Sequence, residues 1–221
     1  MRIGITGWKG FIGSYLRDRI ESPILFQGDM CRFEDVKVFV KDCDRIYHVA
    51  GKNREAEGDI LANNLVSTGN LVLSLRSRGL DAEIIFVSSK QVEWNPYSEY
   101  GLTKNLEEDI IKRMNRWCIF RVPNVYGAGG KPYYNSVVTT FAYMLSHHRK
   151  VTIDNPSDTR EFVFAEDLID ELLKPIFCEY INIEGEIMSV GGIYEYLTTK
   201  LGEHGNLKKC LDYWGKNVST S

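Results

Sequence analysis

A phenol and a primary amine stand four residues apart at Tyr100 and Lys104. On a helix that spacing places both on one face, a turn apart. An ammonium beside a phenol favours the phenolate, so Lys104 is expected to lower the Tyr100 pKa from about 10 toward the working range, where the hydroxyl exchanges a proton with a sugar hydroxyl or a ketone. The spacing alone is weak. With 12 tyrosines, about one such pair arises by chance at ordinary lysine frequency, and Tyr196 with Lys200 is a second. Context separates them. Tyr100 follows an apolar run, Glu83 to Val87, that ends in Ser88-Ser89, and hydroxyls at the C-terminal edge of a buried strand reach the same reacting oxygen.

A second constellation is backbone chemistry. Thr6-Gly7-Trp8-Lys9-Gly10-Phe11-Ile12-Gly13 sets three glycines at intervals of three, between a β-prone segment and a helical pattern carried by Ile12, Tyr15, Leu16 and Ile20. Such a turn suits a dinucleotide. One glycine allows the tight turn, one the close approach of a pyrophosphate, one the packing of helix on strand, and the helix start offers free N–H groups. The alternative is a flexible N-terminal turn, against which the strand and helix context argues. Asp29 lies about 20 residues on, where a carboxylate accepts from a cofactor ribose hydroxyl and repels a 2′-phosphate. It also reads as an ordinary loop carboxylate, and Arg32 is close enough to meet a 2′-phosphate. The expected cofactor is therefore NAD(P)(H), with NAD versus NADP open.

Elements of two alternating kinds must position these groups. Strands are predicted at the N-terminus to Ile5, at Ile24 to Gln27, Arg45 to Ala50, Glu83 to Val87 and Trp117 to Val122, and helices at Phe11 to Ile20, Phe33 to Val40, Leu61 to Arg78, Tyr100 to Met114 and Ser136 to Ser146. Strand-helix alternation implies a parallel sheet covered on both faces, because parallel neighbours need crossovers. The expected fold is thus α/β, a doubly wound parallel sheet of the Rossmann type. From about residue 123 the pattern loosens around Gly127, Gly129, Gly130 and Pro132. We expect residues 1–175 to form the cofactor-binding domain with the catalytic residues and part of the substrate site, and residues 176–221 a small C-terminal substrate-side segment.

Composition excludes several classes. A chain of 221 residues with 43% hydrophobic and 26% charged residues buries a sizeable core, which argues against disorder. A net charge of −3 does not suit a general nucleic-acid binder. Five scattered cysteines form no C-x-x-C pair and no even-numbered disulfide framework, so reduced thiols and no metal are expected. The sequence has neither a signal-peptide pattern at its start nor an apolar run of about 18 residues, which predicts no membrane association and a cytoplasmic location.

The glycine spacing with its Gly10-Phe11-Ile12-Gly13 ending, the Tyr100/Lys104 pair and the strand end Asp44 to Gly51 together resemble the extended, nucleotide-sugar branch of the short-chain dehydrogenases/reductases, the NAD-dependent epimerase/dehydratase family. The resemblance implies that Ser89 positions and polarises the substrate oxygen, Ser88 being the alternative one register away, and that Lys104 also binds the nicotinamide ribose. It places Lys9, Phe11 and Ile12 with the three glycines around the cofactor, Asp29 and Met30 near the adenine, Val49, Ala50 and Gly51 beside the adenosine half, and Val122 in the same set. His48 becomes a packed strand histidine, and Asn64 a structural helix asparagine.

The resemblance continues on the substrate side. Arg121-Val122-Pro123-Asn124-Val125-Tyr126-Gly127 is similar to the R-x-x-N-V-Y-G segment whose asparagine touches the substrate phosphates, and Thr159 to Leu168 to the stretch whose arginine, here Arg160, pairs with the pyrophosphate. Lys131 to Phe141, which contains Asn135, and Lys52-Asn53-Arg54 resemble the reductase half of bifunctional capsule enzymes that make a UDP-N-acetyl-L-fucosamine precursor. This likeness runs from residue 1 to about 175. Against that resemblance, residues 176–221 are too few for a cupin, so none is expected in this sequence, and Tyr97-Ser98-Glu99 are three extra residues before Tyr100. The implied activity is NAD(P)H-dependent reduction of a keto nucleotide sugar, with an epimerase holding tightly bound NAD as the alternative and a dinucleotide-sensing regulator as a third. A dehydratase lacks its acid pair, since Lys90-Gln91 follow Ser89. The resemblance implies a homodimer through the two helices flanking the catalytic strand, for which Leu65, Leu71, Leu106 and Ile110 offer apolar faces; the same residues could equally pack on the sheet.

Overall fold

The computed structural model describes residues 1–53, 59–134, 136–199 and 205–217. Along the chain run β1 (Ile3–Thr6), α1 (Phe11–Arg19), β2 (Ile24–Leu25), α2 (Phe33–Val40), β3 (Arg45–His48), α3 (Ile60–Ser77), β4 (Glu83–Ser89), α4 (Gln91–Trp94), α5 (Glu99–Ile111), β5 (Trp117–Val122) and β6 (Asn124–Tyr126). There follow α6 (Val137–Ser146), β7 (Thr159–Phe164), α7 (Ala165–Leu172), β8 (Glu179–Asn182), β9 (Glu186–Ser189), α8 (Val190–Thr199) and α9 (Gly205–Asn217).

Two compact units result. The first comprises Met1–Val122 and Ile169–Ile183, the second Pro123–Leu168 and Glu184–Ser221. The chain therefore passes between units at residues 122, 168 and 183. The reason is β8, which returns to the first unit and pairs with β5 through Cys118↔Glu179 and Arg121↔Asn182.

The first unit is built on a six-stranded sheet in the order β2-β1-β3-β4-β5-β8, parallel throughout. This is the expected doubly wound α/β arrangement. Because β2 and β3 lie on opposite sides of β1, the chain reverses its direction of travel there and opens a crevice at the C-terminal ends of β1 and β3. Ile84, Ile85 and Phe86 of β4 and Cys118, Ile119 and Phe120 of β5 are fully buried, as a strand covered on both faces requires. The helices close one face with Val36, Leu71, Leu75 and Ile111 packed on Ile46, Ile84 and Ile119. Each such aliphatic side chain contributes about 1.5–3 kcal/mol when taken from water.

Two helix starts matter for the site. Asp59 caps α3 by accepting from the Ala62 N–H at 2.8 Å, and Ser98 caps α5 by accepting from Gly101 N–H at 3.0 Å. The extra residues before Tyr100 thus include its helix cap. Gly101 must be glycine for space, since a Cβ there would strike the Asn95 and Gln91 carbonyl oxygens.

The second unit holds a three-stranded sheet, β6-β7-β9, in which β6 and β7 are parallel and β7 and β9 antiparallel. Its core gathers Tyr126, Phe141, Phe162, Phe164, Ile193 and Leu207.

Candidate active site

The glycine turn sits in the crevice of the first unit. Gly7 adopts φ +67, where a Cβ is strained, and that Cβ would also lie 2.6 Å from the Ala50 nitrogen at the end of β3. Gly13 packs so closely that a Cβ would overlap the Gly7 carbonyl. Gly10 is the N-cap of α1 in extended conformation with no side-chain cap, and an added Cβ would meet only the Gly7 oxygen, at 3.2 Å. The opening N–H groups of α1 are thereby left for an anion. Gly7 and Gly13 are thus required by the turn and by the packing of α1, and the open backbone at Gly10 is compatible with a dinucleotide pyrophosphate.

Around it, Thr6 ties the ends of β1 and β3 together, its Oγ1 accepting from the Val49 and Ala50 N–H groups at 3.2 and 3.3 Å. Gly51 lies beside the Lys104 amine and Asn64. Asn64 holds the following loop in a two-way clamp, accepting from Lys52 N–H and donating to Lys52 C=O, both at 2.8 Å. That is the structural role expected of it. Asp29 follows Gly28, whose φ is +149, and its Oδ1 accepts from Cys31 N–H at 2.8 Å. Met30 packs into the core and Arg32 is exposed. Lys9 lies over the Trp8 ring at 5.0 Å, Phe11 and Ile12 are half-buried, and Val122 accepts from Lys90 N–H at 3.0 Å.

Tyr100 and Lys104 share a face of α5, with the Lys104 Nζ 6.0 Å from the Tyr100 ring centre and 4.6 Å over the Phe86 ring. The Ser89 side chain lies close enough to Tyr100 to pull the pKa of its hydroxyl down. Strand alternation decides between the two serines. Ser88 is buried and donates to Glu108 Oε1 at 2.6 Å, which leaves Ser89 on the Tyr100 side. Three of the expected groups, Ser89, Tyr100 and Lys104, are thus brought together.

The expected electrostatics need correction. The Tyr100 hydroxyl is raised above the ordinary phenol value, because burial outweighs the opposing pull of Lys104. Lys104 is raised as well, its burial offset by Glu107, Tyr100 and Glu108. The sequence reading missed two buried carboxylates, Glu107 and Glu108. Glu107 Oε2 faces Lys104 Nζ at 3.0 Å, while Glu108 takes Arg121 Nη2 at 2.7 Å and Nε at 3.1 Å. Spacings of three and four from Lys104 were the available signal.

His48 is fully buried and packed, as expected, stacked on Phe86 with ring centres 5.5 Å apart. Burial and the nearby Lys104 lower its pKa to about 3, so it is neutral.

In the second unit Asn124 Nδ2 donates to the Glu161 carbonyl at 3.0 Å, and Arg160 is exposed with its guanidinium on Asp158 at 2.7 and 3.0 Å. Asn53 is exposed in the first unit. Asn135 and Lys200 lie outside the described residues. A cavity of about 350 Å³ in the second unit is lined by Tyr126, Glu186, Met188 and Tyr196 among others, and by neither Asn124 nor Arg160. Among the described residues no His/Cys/Asp/Glu cluster suits a metal ion and no helix is long and apolar enough to cross a membrane.

The NAD dependent epimerase/dehydratase family model matches residues 3–176. The chain is 29% identical over 184 residues to a UDP-2-acetamido-2,6-beta-L-arabino-hexul-4-ose reductase of Pseudomonas aeruginosa, covering 79% of this chain and 49% of the reductase; it spans about half the length of that relative. It is also 26% identical over 256 residues to a putative UDP-glucose 4-epimerase of Methanocaldococcus jannaschii, covering 91% and 83% of the two chains. In fold it is similar to the capsular polysaccharide assembling protein CapF from Staphylococcus aureus (TM-score 0.82, 22% identity, 100% of this chain and 68% of that one) and to RMD from Pseudomonas aeruginosa complexed with NADPH (TM-score 0.81, 18% identity, 98% and 99%).

Proposed function

We propose, from the premise that the chain belongs to the NAD dependent epimerase/dehydratase family, that it is a reductase of a keto nucleotide sugar. The observation that carries this reading is the meeting of Ser89, Tyr100 and Lys104 on α5 and the end of β4. The 29% identical reductase supports it.

Gly7, Gly10, Gly13 and the start of α1 would hold the pyrophosphate of the dinucleotide, and Asp29, Val49, Ala50 and Gly51 its adenosine half. When bound, the nicotinamide supplies a hydride. Ser89 orients the carbonyl oxygen through its hydroxyl, and Tyr100 donates the proton that oxygen takes up. A phenol raised by burial is in the protonated form that donation needs. Lys104 is fixed as an ammonium by Glu107 and polarises the phenol. Asn53, Asn124, Asn135 and Arg160 are the proposed substrate-binding residues; Arg160 offers a guanidinium whose fork suits phosphate oxygens.

The deciding measurement is cofactor oxidation with a panel of 4-keto-6-deoxy nucleotide sugars, supplied once with NADH and once with NADPH. Turnover on at least one keto sugar is expected. No turnover, with NAD retained through purification and no net cofactor use on an unreduced nucleotide sugar, would establish the second reading, an epimerase, for which the 26% identical relative speaks.

We also propose a homodimer, with a cytoplasmic setting for the enzyme. Of the residues with two possible roles, Leu71 is fully buried in the core and Ile110 packs there too, so neither serves the interface. The exposed apolar residues of the two helices are instead Val66 and Leu73 on α3, at 45% and 59% exposure, and Leu102 on α5, at 43%. Light scattering should give twice the chain mass, and Leu73→Glu should give the monomer. A wild-type monomer at micromolar concentration removes the proposal.

A further inference from the structure

A continuous polar chain runs through the interior of the first unit. His48 Nδ1 lies 2.8 Å from Thr6 Oγ1, His48 Nε2 3.0 Å from Thr68 Oγ1, Thr68 Oγ1 2.6 Å from Glu107 Oε1, and Glu107 Oε2 3.0 Å from Lys104 Nζ. Thr6, His48, Thr68 and Glu107 are each fully buried, and Lys104 is 4% exposed. Its polarity follows from the donor inventory. A carboxylate only accepts, so Thr68 donates to Glu107. Thr68 then accepts from His48 Nε2–H, which leaves Nδ1 to accept from the Thr6 hydroxyl. The chain is closed, since Thr6 Oγ1 accepts from the backbone of Val49 and Ala50.

We propose that Glu107 is a positioning residue of the site: seated beneath Lys104 and fastened through Thr68 and His48 to Thr6, it fixes the ammonium in place and counters its charge, so that the Tyr100 hydroxyl stays a proton donor. This rests on the reading of Tyr100 as the proton-donating group. A closed chain that ends on backbone amides carries no proton to solvent, so its role is to set charge and place.

The charged neighbours leave Glu107 as the deciding group. On α5, Glu108 is engaged by Arg121 of β5, which Glu93 of α4 also holds at 2.6 Å. His48 of β3 is neutral, Ser89 of β4 and Thr68 of α3 carry no charge, and the Lys90 ammonium lies over the Trp94 ring at 5.8 Å. Against Tyr100, Lys104 and Glu107 act in opposite directions.

The test titrates Tyr100 itself, in the full chain labelled with [13Cζ]tyrosine, with Tyr100→Phe assigning the signal. Glu107→Gln keeps an acceptor for Thr68 and removes the charge. The Tyr100 midpoint should fall by about one to three pH units, the range an uncompensated opposite charge produces, and the alkaline limb of kcat against pH should move the same way. Glu107→Asp, which draws the charge back by one methylene, should give a smaller fall and serves if the amide variant does not fold. Asp109→Asn, on the exposed side of α5, should leave the midpoint unmoved. An unchanged or higher Tyr100 midpoint in Glu107→Gln overturns the inference. Because the titration needs no substrate, it is decided separately from the keto-sugar assay: absence of turnover there counts against the reductase, and the NMR shift alone decides Glu107.

Discussion

Replacing Tyr100 by phenylalanine is expected to lower kcat by roughly 10²–10⁴-fold, the range a positioned general acid contributes. The ring and its packing against the site remain, and only the hydroxyl that Ser89 contacts is removed. Dinucleotide affinity should stay near wild type, because the proposed pyrophosphate cradle of Gly7, Gly10 and Gly13 belongs to the β1–α1 turn. Steady-state rates and a fluorescence titration with NADH and with NADPH separate the two quantities. If the variant keeps more than about a tenth of the wild-type rate, well above what loss of a general acid allows, proton donation must come from another group.

The largest effect on stability should come from Glu108→Ala. Glu108 is 1% exposed and gathers the Ser88 hydroxyl and two nitrogens of Arg121. Removing one partner of a buried pair strands the other, at a cost of about 3–5 kcal/mol. Arg121 retains Glu93, whose side chain is 44% exposed, so the lower end applies. For a chain of this length about 3 kcal/mol corresponds to a Tm loss of roughly 6–12 °C. A melt that shifts by less than about 2 °C contradicts the assignment of this pair to the structural core.

The parallel sheet was legible because its strands are apolar runs. Trp117–Val122 has the predicted bounds, and β4 runs two residues beyond the predicted Val87, to Ser89. The glycine turn was equally legible, since backbone space leaves its mark directly in composition. β8 was not. Glu-Tyr-Ile-Asn places one aliphatic residue in an edge strand that is mostly exposed, so no alternation announces it, and its pairing is set by β5. The short β6 and β9 of the second sheet carry equally little pattern.

The site was legible in its residues more than in its electrostatics. Helical spacing brings Lys104 to Tyr100, but spacing does not report solvent, and burial reversed the expected direction for the phenol. Nothing in the sequence marks Glu107 and Glu108 as buried, because charge usually lies on the outside. Their burial depends on Thr68, Ser88 and Arg121, partners supplied by three other elements.

The return of β8 to the first unit also has a temporal side. Its partner residues in β5 precede it by about 60 positions, and a ribosome adding 5–20 residues each second needs roughly 3–12 s to cover that distance. Throughout that interval the nascent sheet ends at β5 with an unpaired row of amides and carbonyls, the kind of edge on which a neighbouring polypeptide docks. Slower translation between Pro123 and Glu179 would therefore lengthen the time during which the newborn chain is open to aggregation.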